Sequence, residues 1–183
     1  MDKLIIKGGS KISGSVNVHG SKNSALPIIV SSLLSKKTLK LSNVPNVVDV
    51  VNLIKLLKNY GVKIEHKKNK LKINPSKIKN LSADYDVVRK MRASILILGP
   101  LLSRFGEARI SLPGGCAIGT RPIDIHLAGL SKLGANFEIQ NGFVVGSVKS
   151  QLIGNKINLP FPSVGATENI LMAVSYTHLR AHE

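Results

Sequence analysis

The chain contains an internal repeat, and this repeat limits the possible folds more than any single motif does. Three stretches begin alike and continue with small and aliphatic residues; they cover residues 20–34, 91–102 and 165–174. Because nearly all sides of these stretches are apolar, we predict three buried helices.

The first two helices are followed by the same series of elements. The patterns predict a strand, a second helix, a glycine that ends that helix and a β-hairpin. The first series is 38–41, 48–59, Gly61 and 62–73; the second is 108–112, 123–133, Gly134 and 136–145. The sequence therefore predicts an α/β chain of two complete helix-strand-helix-hairpin units and part of a third. Such units bury their helices against one another, so an incomplete third unit should leave an apolar face uncovered.

Composition narrows the class of protein. Of the 183 residues, 43% are hydrophobic and 20% are charged, which is typical of a globular chain with a core. No apolar run approaches the ~20 residues of a membrane span. The first residues lack a secretory signal, and the single cysteine cannot form an internal disulfide. We therefore expect a soluble protein of the reducing cytoplasm with no membrane partner.

The formal net charge of +16 could indicate a protein that binds nucleic acid or another acidic polymer. The excess consists mostly of lysines spread along the chain, whereas nucleic-acid interfaces favour arginines and interleaved aromatic residues, which make up only 4% here. In the densest basic segment, 63–79, lysines alternate with aliphatic residues, as on the solvent-facing side of a hairpin. We expect no nucleic-acid partner and keep a basic binding module as an alternative.

The only cysteine, Cys116, lies in a segment that holds three glycines and a proline within eight residues. This composition predicts a mobile loop between a strand and a helix. A solitary cysteine is more often a small buried side chain than a reagent. Here the glycine loop lies close to a helix start and Arg121 follows five residues later, which favours the reactive thiolate. Cys116 is therefore our candidate for chemistry.

Two basic residues occupy equivalent places before buried helices, Lys22 in the first unit and Arg92 in the second. Free N–H groups at a helix start together with a lysine can form an anion site, although a capped helix with a solvated lysine explains Lys22 equally well. The spacing around Lys22 does not match a P-loop. The equivalent positions indicate one anionic ligand held between the units.

Five segments together carry a family resemblance: Lys22-Asn23, 90–94, 112–119, 121–124 and 162–169. They resemble the UDP-N-acetylglucosamine 1-carboxyvinyltransferases, a family of enolpyruvyl transferases. The resemblance extends in order and without large gaps from Met1 to about Val174. The resemblance implies transfer of the enolpyruvyl group from phosphoenolpyruvate to the 3′-hydroxyl of UDP-N-acetylglucosamine with release of phosphate. This reaction is the first committed step of peptidoglycan synthesis and uses no metal or organic cofactor.

The resemblance also implies roles for individual residues. Cys116 would be the general acid that protonates C3 of phosphoenolpyruvate; it could also attack C2, and fosfomycin-type epoxides would alkylate it. Lys22 and Asn23 fall on the phosphoenolpyruvate contacts, Arg121 lies beside both substrates and Arg92 beside the nucleotide sugar. The contacts on the uridine side are Pro122, Ile123, Asp124, Ile125, Ser163 and Val164. We interpret His126, the next residue of that row, as a packed helix residue.

The family fold consists of two inside-out α/β barrels, each of three units, with the active site between them. In relatives, residues 1–21, with a strand at about 3–6, belong to the other domain, and 22–174 correspond to a truncated cysteine-loop domain. We expect the polar tail 175–183 to be foreign to the fold; its two histidines lack the further ligands of a metal site.

The facing domain of relatives supplies an aspartate that takes the 3′-hydroxyl proton and an arginine that binds phosphoenolpyruvate. We therefore expect the chain as written to lack turnover and to be prone to aggregation. One alternative is transfer to shikimate 3-phosphate on the same architecture, although those enzymes typically have serine after the lysine and lack the cysteine loop. Another is a truncated reading frame without function.

Overall fold

The computed structural model describes residues 3–9, 11–79, 81, 92–112 and 123–175, and only the backbone of Arg92. The two predicted units are present. The first consists of α1 (Lys22–Ser31) with a 3-10 turn (Ser32–Leu34), β1 (Leu39–Leu41), α2 (Val48–Asn59), β2 (Lys63–Lys67) and β3 (Lys70–Asn74). The second consists of a 3-10 helix (Arg92–Ile97) continued by α3 (Leu98–Phe105), β4 (Glu107–Ser111), α4 (Asp124–Lys132), β5 (Ala135–Gln140) and β6 (Phe143–Val148). Helix α5 (Val164–Val174) begins the third unit.

Each unit forms its own three-stranded antiparallel sheet, in the order β1-β3-β2 and β4-β6-β5. In the first sheet Ile64 lies opposite Ile73, and both are buried. The lysines of segment 63–79 are all exposed. This alternation confirms the prediction that they occupy the solvent side of a hairpin.

Glycines end the second helix of each unit, as the sequence predicts. Gly61 and Gly134 have φ angles of 90° and 95°. Side chains are strained in this left-handed region, whereas glycine adopts it freely. Each glycine therefore stops its helix and turns the chain into the following hairpin.

The three repeated helices pack side by side and point in the same direction. Helix α1 packs against the 3-10 helix 92–97, which with α3 packs against α5. At one end, the Arg104 guanidinium of α3 donates to the carbonyls of Leu33 (2.6 Å) and Ser35 (3.1 Å), just after α1. Because these C-terminal ends meet, the starts of α1 and of the 3-10 helix lie together at the opposite end.

The second repeated helix differs in its first turns from the continuous helix that we predicted. Residues 92–97 are 3-10, and α-helical geometry starts at Leu98. Pro100 gives the physical reason. It has no N–H to donate to the carbonyl four residues earlier, but it is well tolerated in the first turn of an α-helix.

The expected strand at residues 3–6 is not formed. Residues 3–9 and 11–21 belong to no helix or strand, and Leu4, Ile5 and Ile6 are at least 80% exposed. A strand needs a neighbour to pair its N–H and C=O groups, and within the described residues no strand pairs with this segment. The assignment of residues 1–21 to another domain stays a prediction.

An uncovered apolar surface is present on α5, as expected for an incomplete repeat. Val164 is 75% exposed and Leu171 is 61% exposed. Among the described residues, no helix is both long enough and apolar enough to cross a bilayer.

Candidate functional site

The structure describes some of the predicted site residues and not others. Cys116, Arg121 and Pro122 lie outside the described residues. The remaining candidates all lie at helix starts: Lys22, Asn23, the backbone of Arg92, Ile123, Asp124, Ile125, Ser163 and Val164.

Lys22, the first residue of α1, forms an ion pair with Asp49 in the first turn of α2. The Lys22 Nζ lies 2.8 Å from Asp49 Oδ2, and the two side chains are 48% and 36% exposed. A carboxylate is favourable at a helix start, whereas an ammonium is not, so Asp49 offsets the unfavourable position of Lys22. Exposed pairs of this kind contribute about 0–1 kcal/mol to stability, so the main effect of the pair is to hold the ammonium in place. Asn23 beside it is exposed.

The second group of candidates lies where the starts of α4 and α5 meet. These helices pack against each other. Ser163 caps α5, since its Oγ accepts a hydrogen bond from the Ala166 N–H at 3.3 Å. Asp124 is exposed at the start of α4, whereas Ile125 is only 8% exposed and offers little side-chain surface to a ligand. The family resemblance assigns these residues to one side of the ligand, and in the structure the two helix starts that carry them lie together.

His126, which sequence reasoning set aside, lies at this same junction. A Cβ placed on Gly165 in the first turn of α5 would be 3.4 Å from His126 Cε1 and 3.6 Å from Nε2. The imidazole also contacts the amide of Asn169, with 3.2 Å between Nδ1 and Nδ2. Burial lowers the pKa of His126 below its ordinary value of 6.5 and so favours the neutral ring.

The two groups belong to one end of the molecule. Asn169 of α5 bonds to Ile95 and Gly99, five residues after the start of α5 and three to seven after the start of the 3-10 helix at Arg92. A Cβ placed on Gly99 would also lie 3.3 Å from the backbone nitrogen of Ala173, four residues after Asn169. The contacts thus advance in the same direction along both segments, and α5 runs parallel to the 3-10 helix and α3. The starts of α1, of the 3-10 helix and of α5 consequently lie at one end of the helix layer, and the partial positive charge of helix starts favours anions.

A groove of about 420 Å³ lies on the first sheet, away from any helix start. Its lining residues are Lys40, Leu41, Ser42, Glu65, Lys67, Lys70, Leu71 and Lys72. Lys72 pairs with Glu65 at 3.3 Å, and the other lysines are solvated. In the described ranges no three His, Cys, Asp or Glu side chains cluster as a metal would require.

A family model described as EPSP synthase (3-phosphoshikimate 1-carboxyvinyltransferase) matches residues 6–180. The chain belongs to this family. Two curated relatives are similar to this chain. The UDP-N-acetylglucosamine 1-carboxyvinyltransferase of Campylobacter hominis is 52% identical to it over 176 residues. UDP-N-acetylglucosamine 1-carboxyvinyltransferase 1 of Halalkalibacterium halodurans is 49% identical to it over 176 residues. These alignments cover 96% of this chain and 42% and 40% of the two relatives, so the chain spans about two-fifths of their length.

Solved structures support the same fold for this EPSP synthase family chain. The enolpyruvyl transferase NikO from Streptomyces tendae superposes with a TM-score of 0.75 at 19% identity, over 91% of this chain and 39% of that protein. EPSP synthase from Acinetobacter baumannii superposes with a TM-score of 0.68 at 20% identity, over 87% of this chain and 37% of that protein. The inside-out α/β barrel architecture that the family resemblance implied is thus confirmed, here as a partial domain of two small sheets and their helices.

Proposed function

We propose that this chain belongs to an enzyme that transfers the enolpyruvyl group from phosphoenolpyruvate to the 3′-hydroxyl of UDP-N-acetylglucosamine. The observation that carries the proposal is the identity of about half of all positions, over nearly the whole chain, to relatives that bear this name. The geometry agrees with it, because three helix starts and the Lys22 ammonium, which is paired with Asp49, lie at one end of the helix layer, and helix starts favour anionic groups. The relatives are more than twice as long as this chain, and the proposed activity is that of a protein of their length.

In the proposed reaction the sugar hydroxyl gives its proton to the aspartate that relatives carry in the facing domain, its oxygen attacks C2 of phosphoenolpyruvate, and Cys116 protonates C3. Phosphate then leaves C2 of the tetrahedral intermediate, and C3 loses a proton to restore the double bond. Lys22 and Asn23 hold the phosphoenolpyruvate, and Arg121 contacts both substrates. Positioned cations of this kind stabilise phosphate charge throughout the reaction.

The remaining substrate contacts would belong to the nucleotide sugar. Arg92 lies beside the sugar, and the uridine side is formed by Pro122, Ile123, Asp124, Ile125, Ser163 and Val164. The exposed start of α5 at Val164 and the exposed Asp124 fit this role, whereas the buried Ile125 would act through its backbone. We further propose that the reaction takes place in the cytoplasm, serves peptidoglycan synthesis, uses no cofactor and is blocked by fosfomycin-type epoxides at Cys116.

Phosphate release tests the proposal and separates it from the shikimate alternative. The chain is extended by the downstream coding sequence where the gene continues, purified, and mixed with phosphoenolpyruvate and one acceptor. We expect phosphate release with UDP-N-acetylglucosamine and none with shikimate 3-phosphate. Release with shikimate 3-phosphate alone would establish the alternative, and a folded protein that releases phosphate with neither acceptor would overturn both.

Asp49 offers a test of the Lys22 position. The Asp49→Asn variant removes the charge that holds the ammonium, and a free lysine side chain has many rotamers. We expect the KM for phosphoenolpyruvate to rise about tenfold, with the unfolding free energy changed by no more than ~1 kcal/mol. Steady-state kinetics and urea unfolding measure the two quantities.

The matched control for this variant is Glu65→Gln, which removes the partner of Lys72 in the ion pair on the first hairpin. It should leave the KM unchanged, because that pair lies on the solvent side of the sheet. An Asp49→Asn enzyme with the KM of the unmodified protein would show that the ion pair does not position Lys22.

A further inference from the structure

Asn169 is a fully buried amide that joins three segments of the chain. Its side chain is 0% exposed. The Oδ1 accepts a hydrogen bond from the Gly99 N–H at 2.8 Å, and the Nδ2 donates to the Ile95 carbonyl at 3.0 Å. The Nδ2 also lies 3.2 Å from Nδ1 of His126 on α4. One residue of the third unit thus holds both the repeated helix and the second helix of the preceding unit.

The two backbone contacts fix the orientation of the amide. If the amide were flipped, its oxygen would face the Ile95 carbonyl and its NH₂ would face the Gly99 N–H, and both hydrogen bonds would be lost. Such losses are costly in a buried site. The NH₂ group therefore points toward Ile95 and His126, and it has two hydrogens for these two acceptors.

This orientation determines the protonation state of His126. Because an NH₂ hydrogen points at Nδ1, Nδ1 must carry a lone pair and accept. A neutral imidazole that accepts at Nδ1 carries its proton on Nε2. His126 is partly exposed, and its Nε2 atom lies beside Gly165 at the start of α5 and makes no hydrogen bond with another described residue.

We propose that Asn169 is a positioning residue that holds His126 as the Nε2–H tautomer, so that the imidazole donates one hydrogen bond to an acceptor oxygen of the nucleotide at the start of α5. The ligand in this statement rests on the proposed function, since the same helix start carries Ser163 and Val164. The tautomer itself rests on the contacts of Asn169 alone. The other titratable side chains described on these two helices near His126 are Asp124 and Glu168, and neither forms a hydrogen bond or ion pair with the imidazole.

The tautomer is read from long-range ¹⁵N–¹H correlation spectra of the histidine-labelled chain, which distinguish both neutral forms and the cation. The His126 signal is assigned by its loss in His126→Gln. We expect an unprotonated Nδ1 and a protonated Nε2 at pH 7. In Asn169→Asp the carboxylate can only accept, so Nδ1 should become protonated and the pKa of His126 should rise.

Asn155→Asp is the matched control for the spectrum. It makes the same chemical change in an amide that donates to the Lys132 carbonyl at the opposite end of α4, at 2.8 Å. The His126 signal should be unchanged in this variant. Two results would overturn the proposed tautomer. One is protonation of Nδ1 of His126 in the unmodified chain, and the other is an unchanged His126 signal in a folded Asn169→Asp variant.

Binding of UDP tests whether His126 Nε2–H donates a hydrogen bond to the nucleotide, and it leaves the buried Asn169 amide unchanged. The extended protein is titrated with UDP by calorimetry. Glutamine can place an N–H near the position of Nε2, whereas the shorter asparagine cannot, so His126→Gln should retain the affinity. His126→Asn should bind about tenfold more weakly, which is the size of one hydrogen bond.

The outcomes separate the two proposals. If the unmodified protein binds no UDP, the proposed function fails, and the ligand assigned to His126 fails with it. If the protein binds UDP and both His126 variants bind equally well, the donor role is wrong while the proposed function stands. Weaker binding by His126→Asn alone, together with the expected tautomer, supports both.

Discussion

Replacing Gly99 by alanine is expected to lower the unfolding free energy by about 3–5 kcal/mol. Gly99 lies in the first turn of α3, which packs against α5. A Cβ at this position would overlap the backbone oxygen of Asn169 and lie 2.6 Å from its Oδ1. Because a backbone atom cannot move aside alone, α5 would be pushed away and the buried bond from the Gly99 N–H to Asn169 would be lost.

Urea unfolding of the variant and of a matched control measures this effect. Gly154→Ala is the control, because Gly154 is exposed and no atom lies within 4 Å of a Cβ placed there. Its unfolding free energy should change by less than ~0.5 kcal/mol. Equal stability of the two variants would show that α3 and α5 are not packed as closely as the structure has them.

Replacing Cys116 by serine in the extended protein is expected to reduce turnover by about 10²–10⁴-fold, the usual contribution of a positioned general acid. The hydroxyl of serine is a far weaker acid than a thiol, and it is also a poorer nucleophile at neutral pH. Phosphate release under saturating substrates measures the loss. Mass spectrometry after treatment with fosfomycin should show a covalent adduct in the unmodified protein and none in the variant.

Ala117→Ser is the matched control for this variant, because it adds a hydroxyl to the next residue of the chain and leaves the thiol intact. It should retain the adduct and most of the turnover. Undiminished phosphate release by Cys116→Ser would show that Cys116 is not the general acid. Formation of the fosfomycin adduct in that variant would show that the Cys116 sulfur is not the alkylated atom.

The sequence alone allowed prediction of the features that depend on neighbouring residues. The alternation of lysine with Ile64, Leu71 and Ile73 predicts the hairpin because successive side chains of a strand point to opposite faces. Gly61 and Gly134 mark helix ends because only glycine adopts their φ angles without strain. The similarity of the three helix-forming stretches predicts the repeat.

The tertiary structure decided the contacts between residues far apart in the chain. Lys22 has its partner in Asp49 of another helix, and Asn169 reaches Ile95 and Gly99, which lie 74 and 70 residues earlier. No local pattern marks an asparagine as the link between two units. Its role emerges only where three segments bury the same amide, since every polar atom there must then find a partner.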